Sequence, residues 1–169
     1  LQVYSGEILG LAGQLGSGSG YLLAAMAGAR RSRSGRLKIG GKTFLPRSPA
    51  EAIRNKIAYC SSDRKKDGLF LELPIYQNMS SPALERFTWL GWLLRRQEVE
   101  VTTDLAREFQ VDVSRVHDHA DVLSGGNQQK VAVGKWLSIK PRVLLVNEPT
   151  RDVDVGARSV IYNWLCDLS

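Results

Sequence analysis

Apolar positions along this chain fall into three patterns, and each pattern predicts a kind of element. Residues 6–13 (GEILGLAG) are a mostly apolar run that enters a glycine-rich turn at 13–20 (GQLGSGSG), and LLAAM at 22–26 reads as a helix, so the chain opens as buried strand, glycine loop, helix. Residues 35–44 (GRLKIGGKTF) alternate about Gly40-Gly41 and predict a hairpin, and 56–60 predict a further short strand. Pro74 and Pro82 punctuate the next stretch, after which Val101, Leu105 and Phe109 fall on one face of a helix starting near Gln97. A helix over 127–139 places Val133, Trp136 and Leu137 together and stops at Lys140-Pro141. VLLV at 143–146 is unbroken, as expected of a parallel strand buried on both faces. Finally, Ala157, Val160, Ile161, Trp164 and Leu165 recur at helical spacing over 157–168, a core stripe. Internal repeats and low-complexity segments are absent.

Strands alternating with helices, interrupted by a helical stretch at about 77–122, imply an α/β core carrying an inserted helical subdomain. The expected division is 1–76 and 138–169 for the core and 77–137 for the subdomain. With 169 residues there is room for one domain with a real core. The longest apolar run, FTWLGWLL at 87–94, is far short of the ~20 residues that span a bilayer, and no signal-peptide pattern opens the chain. The net charge of +6 permits an anionic partner, but its densest part, Arg30-Arg31-Ser32-Arg33-Ser34-Gly35-Arg36, has no interleaved aromatics and reads as a solvated loop. His117 and His119 sit in a polar connector and are expected to be exposed. Cys60 and Cys166 lie far apart without metal or redox spacing and read as buried thiols of a reducing compartment.

Two glycine-bearing helix starts carry the candidate chemistry. In LSGGNQQK (123–130), Ser124 is an N-cap, and Gly125 and Gly126 let backbone amides approach a ligand; such a helix start attracts anions, although the tetrapeptide alone could be an ordinary cap. It is followed by VLLVNEPT (143–150), a strand ending in the carboxylate of Glu148. The earlier loop matches the phosphate-cradling frame GxxxxGK[ST] in its glycines only. Gly13, Gly16, Ser17 and Gly18 are in place, but Ser19 stands where the lysine belongs and Gly20 where the hydroxyl belongs. Each charge-assisted hydrogen bond lost with that lysine is worth roughly 1.5–3 kcal/mol, about one to two decades in affinity.

LSGGNQQK followed by VLLVNEPT resembles the ATP-binding-cassette family, whose signature and Walker B strand these would be. The resemblance implies a P-loop NTPase (RecA-like) parallel-sheet core with the inserted helical subdomain, and ATP as cofactor. It assigns the P-loop residues Gly13, Gly16, Ser17, Gly18, Ser19 and Gly20 to nucleotide, together with Asn147, which replaces the Mg²⁺-associated Asp. Glu148 matches the water-activating carboxylate. In this family two cassettes face each other head to tail, so Ser124, Gly125, Gly126 and Gln128 would serve ATP held by a partner cassette. With Lys, hydroxyl and Asp all missing, the case for Mg²⁺ at this chain's own site is weak and no metal ligand is assigned.

Further stretches narrow the resemblance: Asp63-Arg-Lys-Lys-Asp-Gly-Leu69, Asn78-Met-Ser80, and Glu148-Pro-Thr-Arg-Asp-Val-Asp-Val-Gly-Ala157 are similar to ATP-binding subunits of bacterial monosaccharide importers of the ribose, galactose and xylose type. Those carry two fused cassettes, the second often with a P-loop lacking its Lys, and this chain resembles that second cassette. Ser62 where the branch has an acid, Asp152 where it has Gly, and Asn147 depart from its pattern. The chain also reads as starting inside the strand before the P-loop and stopping inside the helix after the D-loop, hence as a piece truncated at both ends. The implied partners are a second cassette, fused or separate, and transmembrane permease subunits, with no nucleic acid; the implied place is peripheral, on the cytoplasmic face of the inner (plasma) membrane. The expected role is to supply the signature to a partner's ATP within an ATP-hydrolysing sugar importer, this domain alone being weak or inactive. A self-competent ATPase using Glu148, or a cassette protein outside transport, are the alternatives. Trp89 and Trp92 either pack within the subdomain or help dock the membrane subunit.

Overall fold

The computed structural model describes residues 1–14, 16–32 and 34–168. Arg33 of the basic stretch and Leu15 of the glycine loop lie outside the described residues, as does the side chain of Ala157. In chain order the elements are α1 (Ser19–Met26), β1 (Leu37–Ile39), β2 (Lys42–Phe44), α2 (Pro49–Arg54), β3 (Ile57–Cys60), α3 (Ile75–Ser80), β4 (Thr88–Trp89), β5 (Trp92–Leu93), α4 (Arg95–Glu108), α5 (Gly125–Gly134), β6 (Val143–Val146) and α6 (Val155–Asp167), with short 3₁₀ and π turns between.

The strand expected at 143–146 pairs in parallel with the strand expected at 56–60, Ile57 opposite Val143 and Cys60 opposite Val146. The hairpin about Gly40-Gly41 is present as β1–β2, both glycines adopting the positive φ that a tight two-residue turn requires. Ser48 caps α2, accepting from the Glu51 amide at 3.3 Å, with Pro49 at the first helical position.

Residues 6–13 do not form the expected buried strand. The segment is irregular and exposed, Ile8, Leu9 and Leu11 included. A strand is made by a partner and not by apolarity alone: no ladder hydrogen bond reaches these residues among the described ones, and Gly6, Gly10 and Gly13 leave the backbone free.

The main core lies between the helical stretch and the sheet. Phe109 packs beneath Gly134 and edge-on to Trp164, with ring centroids 4.4 Å apart, which docks α6 against α5. A Cβ added at Gly134 would stand 2.9 Å from Phe109 Cγ, so this mid-core position demands glycine. The helix near Gln97 is present as α4; of its expected face Phe109 is buried and Leu105 packs against the core, Val101 is exposed, and Glu98, Thr102 and Ala106 are buried beside them. Small Thr102 and Ala106 allow close packing, and the Glu98 carboxylate is drawn inward by the Ser80 hydroxyl, which donates at 2.6 Å. Asn78 is fully buried and satisfied: its Nδ2 donates to the carbonyls of Phe70, Leu73 and Pro74, and its Oδ1 accepts from the Phe70 amide.

Trp89 and Trp92 do not pack within the subdomain. They stand opposite each other on the β4–β5 hairpin, 65% and 77% exposed. Leu90 and Gly91 form its left-handed turn and hold both indoles on one face, outside the core. Cys60 is buried as expected, whereas Cys166 is exposed. Five residues beyond the buried Ile161, Cys166 lies about 140° round α6 and so faces away from the core. His117 and His119 are exposed, His117 resting edge-on against Tyr76.

Candidate functional site

The glycine loop, expected to cradle phosphate, turns tightly into α1. Gly16 (φ 87°) and Gly18 (φ 88°) are left-handed, which only glycine adopts without strain, and between them the Ser17 amide donates to the Gln14 carbonyl at 2.9 Å. A Cβ on Gly13 would stand 2.5 Å from Ser17 Oγ, so glycine lets the loop fold back over itself. α1 then starts from Gly18 with no side-chain cap and no acid in its first turn. Its first amides and positive dipole end are available to an anion.

Beside this cradle three sequence departures meet. The Asn147 amide nitrogen continues the β3–β6 pairing by donating to the Cys60 carbonyl at 2.9 Å. Its side-chain Nδ2 donates to Ser62 Oγ at 3.3 Å. The same carboxamide lies against Gly20, where an added Cβ would stand 3.0 Å from Asn147 Nδ2 and 3.3 Å from Oδ1. Ser62, Gly20 and Asn147 thus fill one spot, each occupying a position where the resemblance expects a metal-side or acidic group. Mg²⁺ is held through carboxylates, phosphate oxygens and water, and this spot offers a carboxamide, a hydroxyl and a bare Cα. Among the described residues no cluster of His, Cys, Asp or Glu is arranged to hold a metal ion. The donor set does not fit Mg²⁺, so no step is derived through it.

Glu148 follows directly. It is exposed and left-handed (φ 48°), a costly backbone for a non-glycine residue, and its carboxylate faces Arg151 Nη1 at 3.6 Å. A cleft of about 740 Å³ adjoins the cradle, lined by Gly20, Tyr21, Tyr59, Ser62, Asp67 and Asn147 among others, and no residue of the 123–130 stretch lines it.

The second helix start is a separate place. Ser124 is the N-cap of α5, its Oγ accepting from the Asn127 amide at 3.4 Å. Ser124 is exposed, Gly125 half-buried and Gly126 buried. Gln128 is turned away from the surface: only 5% exposed, it donates from Nε2 to the Ala120 carbonyl at 3.1 Å and so ties the preceding connector to the helix. The structure therefore brings Gly20 and Asn147 together, sets Glu148 beside them, and keeps Ser124, Gly125 and Gly126 at a different helix end.

Two charged residues that motif reading left without a role are buried here. Arg64 donates from Nη1 to the Arg151 carbonyl at 3.0 Å and from Nη2 to the Asp152 carbonyl at 3.4 Å. Lys135 donates from Nζ to the Gly68 carbonyl and lies 5.1 Å from the Trp136 ring centroid. Burial pulls the Lys135 ammonium down to about 8 and pushes the neighbouring Cys60 thiol up to about 11. Nothing in the composition of DRKKDG separates Arg64 from its exposed neighbours Lys65 and Lys66; only the turn, capped by Asp63 Oδ1 accepting from the Lys66 amide at 3.1 Å, points it inward.

A family model described as ABC transporter matches residues 1–151. The chain belongs to that family. It is 41% identical over its whole length to the ribose import ATP-binding protein RbsA of Yersinia pestis, of which it covers 33%. It is 38% identical to a putative ribose/galactose/methyl galactoside import ATP-binding protein of Rhizobium johnstonii, covering 99% of this chain and 33% of that one. The chain thus spans about a third of the length of the curated relatives it matches. Among solved structures it is similar to an ATP-binding cassette of an ABC transporter (TM-score 0.79, 21% identity, 99% of this chain and 68% of that chain). It is also similar to a dimeric cassette in a post-hydrolysis state bound to ADP and Pi (TM-score 0.78, 20% identity, 98% and 70%). The α/β P-loop NTPase fold of the ABC cassettes, anticipated from the two motifs, is therefore the fold of this chain.

Proposed function

We propose that this cassette is an ATP-binding part of a monosaccharide-import ABC transporter, working in asymmetric partnership with a second cassette. In this reading the start of α5, Ser124 with Gly125 and Gly126, contacts ATP held by the partner's P-loop. The cassette's own P-loop, Gly13 to Gly20 in the loop frame, binds nucleotide weakly, and Glu148 has little metal-phosphate chemistry to serve. The partners are that second cassette and transmembrane permease subunits, and the site of action is the cytoplasmic face of the membrane. Among the described residues no helix is long and apolar enough to cross a membrane.

One observation carries the asymmetry: the Asn147 carboxamide packs on Gly20 at the metal-side spot while the α5 start is capped and open. Gln128 enters as the brace of that helix through Ala120 and not as a surface contact. The sugar class rests on the relatives' names and on the matching DRKKDGL and NQQK stretches.

The test is made in the assembled transporter. Ser124→Arg, which puts a bulky cation over the helix start, is expected to abolish ATPase activity, and Ser19→Ala to leave most of it. The reverse result, with Ser19→Ala inactive and Ser124→Arg unaffected, overturns the assignment in favour of a self-competent ATPase site.

A further inference from the structure

The stretch Asp63 to Gly68 has five charged side chains in six residues, yet one of them is inside the molecule. Arg64 is 7% exposed, while Lys65 and Lys66 are exposed. A buried guanidinium is costly unless an anion pairs with it. Among the described residues no carboxylate forms an ion pair with Arg64. Its partners are the two backbone carbonyls of Arg151 and Asp152, and among the described residues its Nε finds no hydrogen-bond partner.

The guanidinium lies against the start of α5. A Cβ on Gly125 would stand 3.0 Å from Arg64 Nη2 and 3.2 Å from the Asp152 carbonyl oxygen. The guanidinium therefore sits under the N-terminus of α5, where the helix dipole is already positive. Two like charges placed together in a buried spot do not help the fold. They would help an anion that arrives at the exposed Ser124 side of the same helix start. The guanidinium fork also ties that helix start to the turn 151–152, three residues past Glu148.

We infer that Arg64 is a positioning residue for the signature. It adds fixed positive charge beneath the Ser124–Gly126 anion site, and its two amino groups hold the turn after Walker B in register with α5. It does not touch nucleotide itself. Gly125 is glycine on this account because the guanidinium and the Asp152 carbonyl already occupy the space of a side chain. The inference rests on the proposed use of the signature for a phosphate held by the partner cassette.

The experiment uses the full-length protein in the assembled transporter, with Arg64→Lys, Arg64→Met and the control Ser124→Arg. Steady-state ATPase gives KM for ATP and kcat at several salt concentrations, and thermal unfolding gives Tm. Arg64→Lys keeps the charge but loses the fork, and is expected to raise KM by about tenfold through a less well-placed helix start. Arg64→Met is expected to raise it further, to flatten its dependence on salt, and to leave little net change in Tm, because the two carbonyl hydrogen bonds lost are offset by removal of an unpaired buried charge. Wild-type KM in both variants, with Ser124→Arg inactive, overturns the role of Arg64 alone. Loss of Tm in Arg64→Met, or failure of that variant to fold, overturns it too and makes Arg64 a structural brace. If Ser124→Arg keeps full activity, the signature reading itself fails.

Discussion

The contact between Gly20 and Asn147 can be tested by giving each position the residue its motif expects. Gly20→Ser adds a Cβ that would stand 3.0 Å from Asn147 Nδ2 and 3.3 Å from Oδ1, both inside ordinary contact distance. The Asn147 backbone cannot retreat, because its amide is tied to the Cys60 carbonyl at 2.9 Å. The carboxamide must shift by a few tenths of an ångström, which strains its 3.3 Å hydrogen bond to Ser62 Oγ. Overpacking of this kind costs about 1–3 kcal/mol, and replacing glycine by serine in a helix returns about half a kcal/mol. A net loss of about 0.5–2.5 kcal/mol follows, read as a few degrees in Tm at roughly 2–4 °C per kcal/mol for a chain of this size.

Asn147→Asp in the Gly20→Ser background should recover part of that loss, since the new hydroxyl can donate to the new carboxylate. Urea unfolding of wild type, both single variants and the double variant forms a thermodynamic cycle, with an expected coupling of about 0.5–3 kcal/mol. The double variant should also gain an ATP-induced rise in Tm that disappears with EDTA, because a hydroxyl and a carboxylate now offer Mg²⁺ what a carboxamide and a bare Cα do not. Additivity within about 0.5 kcal/mol would refute the contact. An EDTA-sensitive ATP response already present in the wild-type chain would refute the reading of the metal-side spot.

Two further outcomes follow from burial and charge. Replacing both Trp89 and Trp92 by alanine should change stability by no more than about 0.5 kcal/mol while weakening assembly with the permease; a loss of several kcal/mol on urea unfolding would return these indoles to the core. For pH, Lys135 is held at about 8 against an ordinary 10.5, so between those values the unfolded chain binds a proton the folded chain does not, and stability rises with pH. Cys60, raised from 9.0 to about 11, acts oppositely: the folded chain keeps a proton the unfolded one has lost, and stability falls as pH climbs from 9 to 11. Urea midpoints at pH 8, 9 and 10 should therefore climb more steeply in Cys60→Ala than in wild type, and parallel profiles would refute the assignment to Cys60.

Much of the fold was legible where an element's reasons are local. VLLV needed only its unbroken apolarity to be read as a parallel strand, Gly40-Gly41 only its turn chemistry, and Ser124 only its capping oxygen. Residues 6–13 were misread because a strand depends on a partner elsewhere in the structure, and apolar composition does not supply one. On α4 the apolar pattern places Leu105 and Phe109 at the core, but the burial of Glu98 and Thr102 is not legible, because their partners Ser80 and the helix's own carbonyls are invisible to a hydrophobic pattern. Arg64 was passed over for the same reason: its inward turn is set by the Asp63 cap and by carbonyls 87 and 88 positions away in sequence.

At the candidate site the departures lie apart in the sequence, and the fold brings them to one spot. Read singly, glycine for hydroxyl at Gly20, asparagine for acid at Asn147 and serine for acid at Ser62 each look like an isolated weakening. Placed together, they fit one another: the Asn147 carboxamide lies close against Gly20, where a side chain would crowd it, and the hydroxyl of Ser62 accepts its hydrogen bond. A carboxylate at 147 would instead meet Ser62 as a donor and leave the bare Cα of Gly20 unable to help it hold a cation. The set is thus internally satisfied without a metal ion, which a random loss of function would not have to be. Restoring any one member alone should be worse than restoring two, and the Gly20→Ser and Asn147→Asp cycle measures that dependence directly.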